Sequence, residues 1–166
     1  KRSFMKPCKS CPQVKFLKQV VDIAHRNGAL VIFDEMISGF RFAMGGAQEY
    51  FGVYPDLSTF GKGITNGMPL GVLVGKEKYM KEFDKVFLSS TYAPETLTLA
   101  AASANIDFYR DNNVIKAIWE KGEYLEEQFL AIIEKYELKE RVSLAGYSVR
   151  LMINTHGKDG IQDPVL

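Results

Sequence analysis

Apolar residues recur at helical spacing at Val14, Leu17, Val20, Val21 and Ala24, predicting a helix that opens after Pro12. Gly28 supplies its stop, and His25 and Arg26 fall in the last turn, where the helix dipole favours positive charge. Ala29 to Phe33 is an unbroken apolar run; continuous rather than alternating apolarity predicts a strand covered on both faces, hence a parallel sheet. Ser38 to Pro55 is rich in glycine and aromatics without a period and reads as a long loop with one helical turn. A short segment, Asp56 to Phe60, leads into Gly61-Lys62-Gly63. Gly71 to Gly75 reads as a strand followed by a short helix, Lys76 to Phe83, and Val86 to Leu88 as another strand. Glu95 to Arg110 is an Ala-rich helix broken at Asp111-Asn112-Asn113. Val114 to Tyr136 is a longer helix with Ile115, Ile118, Trp119, Leu125, Phe129, Ile132 and Ile133 on its apolar face. Ser148 to Asn154 alternates as a strand of a separate antiparallel layer does. Strands alternating with helices predict an α/β fold, with the domain boundary at the polar break near Asp111 or in the helix after it.

Composition narrows the classes. A hydrophobic share of 46% and a charged share of 25% are those of a globular protein. A net charge of +1 without a basic run leaves no footprint for nucleic acid. No apolar stretch approaches the ~20 residues that span a bilayer, and without a leader pattern a cytoplasmic protein is expected. Cys8 and Cys11 form a lone C-x-x-C, read as two free thiols in a loop; His25 and His156 stand too far away in sequence to complete a zinc set, and no metal is expected. The chain opens Lys1-Arg2-Ser3 without an initiator Met and stops at Leu166, so a piece of something longer is expected.

Two residues carry candidate chemistry. Asp34 closes the most apolar strand, at the carboxyl end where open α/β sheets bind ligands; it reads equally as the cap of the following turn. Val31 to Glu35 also fits a Walker B strand, although the companion G-x-x-x-x-G-K-[ST] is absent from all 166 residues. Lys62 lies between two glycines, which let a bulky ligand approach the backbone; alone, it reads as a plain loop lysine. Lysine is the side chain that forms a Schiff base with an aldehyde. Together, an acid and a lysine ending two strand-like segments suit pyridoxal 5'-phosphate (PLP), whose ring nitrogen needs an acid and whose aldehyde needs an amine.

The runs Phe33-Asp34-Glu35-Met36-Ile37-Ser38-Gly39-Phe40-Arg41, Gly45 to Val53, Pro55 to Gly63 and Gly67-Met68-Pro69-Leu70-Gly71 resemble class III aminotransferases, most of all the glutamate-1-semialdehyde aminomutase branch. The resemblance runs across most of residues 13 to 110. It implies a partial fold type I large domain over 1–113, with a mostly parallel sheet. Over 114–166 it implies a linking helix and the start of a small α+β domain. It implies PLP-dependent amino-group transfer between small molecules, or within one, by a homodimer in its full-length form. Asp34 would pair with the ring nitrogen. Met36 would pack against the ring, where relatives have a smaller residue, and Ile37 stands where many relatives have Gln. Lys62 would form the Schiff base and carry the proton. Thr91, after Ser90, would reach the cofactor phosphate of the neighbouring subunit, although Tyr92 to Glu95 depart from the usual pattern. Arg41 reads as a surface charge on a mobile loop. The family's phosphate-binding turn and ring-stacking aromatic would lie upstream, so residues 1–166 alone are expected to be inactive. The rivals are an ATPase and a catalytically inactive binding or dimerisation module.

Overall fold

The computed structural model describes residues 14–87 and 95–156. These form two compact units that divide between Ile115 and Lys116.

The first unit opens with α1 (Val14–Arg26). Leu17, Val21 and Ala24 of its predicted stripe are half-buried, whereas Val14 and Val20 are exposed. The helix stops where glycine allows it: Gly28 has φ 70°, the Ala29 amide donates to the Ala24 carbonyl (2.9 Å) and the Gly28 amide to that of His25 (3.1 Å). Then follow β1 (Ile32–Asp34), α2 (Ala47–Phe51), β2 (Leu57–Phe60), β3 (Val72–Gly75), α3 (Glu77–Met80), a 3-10 turn (Lys81–Lys85) and α4 (Thr96–Asp111). The sheet order is β1-β2-β3, with β1 parallel and β3 antiparallel to β2. Among the described residues the strands of this α/β unit depart from expectation at three places, the first being that a sheet expected to be mostly parallel has one parallel and one antiparallel pairing. β1 is not covered on both faces among the described residues, since Ile32 is 57% exposed. Nor is there a strand at Val86 and Phe87: Val86 is extended but has no ladder partner among the described residues, and Leu88 lies outside them.

The long loop contributes Phe40 to the core. Phe40, Phe60, Ile64 and Ala102 are buried together, with Met44, Leu70, Val72, Ile106 and Tyr109 packed around them. Phe40 meets Phe60 and Tyr109 edge-on, at centroid separations of 6.3 and 5.7 Å. Burying each such ring contributes roughly 1.5–3 kcal/mol. Arg41 is exposed, but Phe40 and Phe42 on either side of it are buried, so this segment is anchored where a mobile loop was expected.

The second unit contains most of α5 (Val114–Lys135) and a hairpin, β4 (Val142–Tyr147) with β5 (Arg150–Thr155). The strand expected over Ser148 to Asn154 is β5, which starts two residues later; Ser148 and Val149 are the turn, and β4 before them was not expected. Gly122 lets α5 approach this turn, because a Cβ there would lie 2.3 Å from the Ser148 carbonyl oxygen. Trp119 stacks edge-on against Tyr147.

At the amino-terminal edge of the sheet the Asp56 carboxylate is 1% exposed. It accepts from the Val31 amide (2.9 Å), the His25 ring (2.8 Å) and the Lys76 ammonium (2.7 Å). One side chain therefore ties the end of α1 to the starts of β1 and β2 and to the residue after β3. Burial pushes the Asp56 carboxyl up, but the Lys76 hydrogen bond, the Val31 amide, the His25 ring and the Lys76 charge outweigh it and hold the group well below the usual carboxylate range. A carboxyl depressed on folding stabilises the fold fully above its unfolded pKa of about 4, and that contribution is lost as pH falls from there toward the folded value. Asp56→Asn is expected to cost roughly 1–3 kcal/mol at neutral pH and to flatten the loss of stability in acid. Urea melts across acidic pH check this; an unchanged acid slope in the variant would contradict it.

Candidate functional site

Parallel pairing brings the carboxyl ends of β1 and β2 to one edge of the sheet. Asp34 is the last residue of β1, in register with Thr59 of β2. Lys62 follows two residues after β2 ends at Phe60. The two residues singled out in the sequence thus stand at the same edge of adjacent strands, and both are exposed.

Met36 connects them. Its amide donates to Asp34 Oδ1 at 2.9 Å, which fixes the turn leaving β1. Its thioether lies against the backbone at Gly61: a Cβ there would come 2.3 Å from Met36 Cε and 2.8 Å from Sδ. Gly61 is extended (φ −172°), so what it provides is space, not unusual backbone. Lys62 then opens a 3-10 turn (Lys62–Ile64) with φ 45°, a left-handed value sparsely used by side-chain-bearing residues. The turn is closed by the Asn66 amide on the Lys62 carbonyl (3.0 Å) and by the Thr65 hydroxyl on the Met68 carbonyl.

Glu35 was weighed in the sequence only as part of a Walker B pattern. It is 1% exposed, and its amide donates to the Thr59 carbonyl at 2.9 Å. Its carboxylate accepts from the Ser38 hydroxyl and from the Ala47 and Gln48 amides, each at 2.8 Å. It therefore caps α2 from across the arch, satisfying amides that a helix start leaves open. Gly46, with φ 83°, makes room for it, since a Cβ there would meet the carboxylate at 2.5 Å. The signal was a second acid beside Asp34 with a Gly-Gly pair further along.

Thr91 lies outside the described residues, as do Cys8 and Cys11. The cap of α4 is Glu95, whose side chain accepts from the Leu97 and Thr98 amides at 2.8 and 2.7 Å. The Thr98 hydroxyl, with those amides, lowers its pKa. Ile37 is exposed near Asp34. His25 is engaged with Asp56, and His156 lies 3.1 Å from the Ser143 hydroxyl. Among the described residues no three His, Cys, Asp or Glu gather as a metal set, and no helix is long and apolar enough to cross a membrane.

The family model for class-III aminotransferases matches residues 9–158. A 3-aminobutyryl-CoA aminotransferase of Cloacimonas acidaminovorans is 44% identical over 125 residues, 75% of this chain and 29% of the relative. A glutamate-1-semialdehyde 2,1-aminomutase of Ruminiclostridium cellulolyticum is 40% identical over 130 residues, 76% of this chain and 30% of the relative. The chain thus spans about a third or less of the length of these curated relatives. Among solved structures, the FumI protein of Sphingopyxis sp. MTA144 superposes with a TM-score of 0.80 at 23% identity, over 89% of this chain and 35% of that one. An S-selective transaminase from Arthrobacter sp. gives 0.74 at 26% identity, over 87% and 32%. These neighbours carry the expected fold type I architecture, of which this chain is a part.

The Met36–Gly61 contact yields a packing prediction. Gly61→Ala is expected to destabilise the chain by driving the new methyl into Met36, and Met36→Ala to relieve much of that cost. Denaturant melts of both single variants and the double variant should give a coupling of about 0.5–1 kcal/mol; strict additivity would place the strain elsewhere.

Proposed function

The chain belongs to the class-III aminotransferase family, and from that premise we propose that it carries the lysine and the acid of a PLP-dependent amino-transfer site. The observation that supports this best is the shared sheet edge: Asp34 and Lys62 end adjacent parallel strands, with Met36 bridging their turns. The residues present suit the cofactor. Asp34 offers an exposed carboxylate for a protonated ring nitrogen, and Lys62 an exposed amine for an aldehyde. Met36, half-buried over Gly61, offers a polarisable surface for an aromatic ring. Thr91 is proposed as a phosphate contact on the sequence resemblance alone.

When bound, PLP supplies an electron sink that makes a hydrogen next to an amino group removable. The chain's own contribution is placement and proton handling. Asp34 holds a proton at the ring nitrogen by presenting negative charge to it. Lys62 Nζ would be the amine that holds the cofactor through its aldehyde, and, freed by substrate, it would be the base that takes up and returns the proton. Donors and acceptors are proposed to be small molecules, and the assembly a cytoplasmic homodimer. Residues 1–113 would form the later part of a large cofactor domain, and 114–166 the linking helix and start of a small domain. The nucleotide reading of Val31 to Glu35 is set aside, because family membership points elsewhere and the Glu35 carboxylate is engaged with α2.

The test is chemical. The full-length protein is incubated with PLP, reduced with borohydride and mapped by peptide mass spectrometry. The adduct is expected on Lys62 and absent from Lys62→Ala; an adduct on Lys76 instead would overturn the assignment. Asp34→Asn should retain the adduct while lowering turnover by several powers of ten, each worth ~1.4 kcal/mol of barrier. An adduct without turnover in the unaltered full-length protein would favour the inactive module.

A further inference from the structure

We infer that Asn105, on α4, is a positioning residue for Lys62; the inference rests on the amino-transfer reading above. Asn105 is half-buried, and its single Nδ2 donates to two consecutive carbonyls, those of Gly63 (2.9 Å) and Ile64 (3.0 Å). Both belong to the 3-10 turn that Lys62 opens. Such a turn is too short to satisfy its own trailing carbonyls, so their partners must come from outside it. The partner comes from a helix some forty residues further along the chain.

The need for an outside anchor follows from Lys62 itself. Its φ of 45° is strained, and such a conformation persists only where its surroundings over-determine it. Before Lys62, Gly61 is walled by Met36; after it, Asn66 closes on the Lys62 carbonyl. Asn105 supplies the side-chain hydrogen bonds that tie the turn to a long helix. The apolar contacts of α4 act in the same place: Ala102 is buried with Ile64, and Ile106 packs against that cluster. The core holds the Ile64 side chain while Asn105 holds its carbonyl, so the Lys62 Cα has a fixed height above the sheet edge. An amine that must meet one carbon and later serve two needs that fixed origin, since a misplacement of about 1 Å can cost 10²-fold in rate.

The chemistry is specific to a donor. Asp at 105 would match Asn in shape but turn a carboxylate toward two carbonyl oxygens. Asn105→Asp should therefore be worse than Asn105→Ala, which leaves the carbonyls to water. Asn112 provides the control, because its amide is spent on the Phe108 carbonyl of its own helix.

The experiment compares the full-length protein with its Asn105→Ala, Asn105→Asp, Asn105→Ser and Asn112→Ala variants. In cofactor-free protein, backbone hydrogen exchange is read over residues 61–67 and over β2. Exchange over 61–67 should quicken about tenfold in Asn105→Ala, as expected when local opening becomes easier, with β2 unchanged. In PLP-loaded protein, the pH midpoint of the cofactor absorbance should move. Turnover should fall about 10- to 100-fold, with KM for the amino donor within about threefold. Asn105→Ser, which keeps one donor, should fall between; it also serves if Asn105→Ala does not fold. Wild-type exchange, pH midpoint and turnover in the Ala and Asp variants would overturn the inference. So would a lower unfolding midpoint with those three readouts unmoved, which marks Asn105 as merely structural. If the unaltered protein forms its adduct on another lysine, the amino-transfer reading fails and takes this inference with it; a Lys62 adduct with indifferent variants fails the inference alone.

Discussion

The carboxylate of Glu35 is the constraint on which the rest of the first unit depends. A buried charge is tolerated only when donors surround it. Here those donors come from the arch that follows, at Ser38, Ala47 and Gln48. The chain must curl over Glu35 to deliver them, and in doing so it brings Phe40 into the core. Because neighbouring strand residues point to opposite faces, burying Glu35 also turns Asp34 outward. The acid that faces the site owes its direction to the acid that does not.

A second buried carboxylate, Asp56, works at the other edge of the same sheet. There it gathers α1, the strand starts and Lys76, all through structural contacts. One edge is thus closed by ionic and amide contacts, and the other is left with an exposed acid and an exposed lysine. The sheet separates stability from chemistry by its ends.

Much of this was legible in the residue pattern. The periodicity of α1 and α5, the alanine content of α4 and the glycine after α1 marked helices and a stop. Asp34 and Lys62 stood out because acids and glycine-flanked lysines are unusual beside apolar strands. What the pattern hid has physical reasons. The hairpin turn at Ser148 and Val149 lacks the Asn or Gly that normally announces a two-residue turn, so the turn was read as the start of β5 and β4 went unread. The arch from Ser38 to Pro55 has no period because its order comes from a distant carboxylate and from aromatic packing. Asn105 gives no local sign at all: its partners lie on another element, and only the tertiary fold brings them within reach.

The register of β1 against β2 has a consequence for how such a chain can vary. The pairing is only three residues long, Ile32 to Asp34 against Leu57 to Thr59. It is clamped at one end by Asp56 on Val31 and at the other by the Glu35 amide on Thr59. Inserting or deleting one residue inside this ladder would exchange the directions of the two adjacent acids, burying the one that faces solvent and exposing the one that caps α2. At Ile32, Phe33 and Leu57 residue identity is open to exchange between apolar types, but the length of the ladder is not. Drift in this region should therefore proceed by replacement, with gaps confined to stretches such as the exposed residues around Val86 and Phe87.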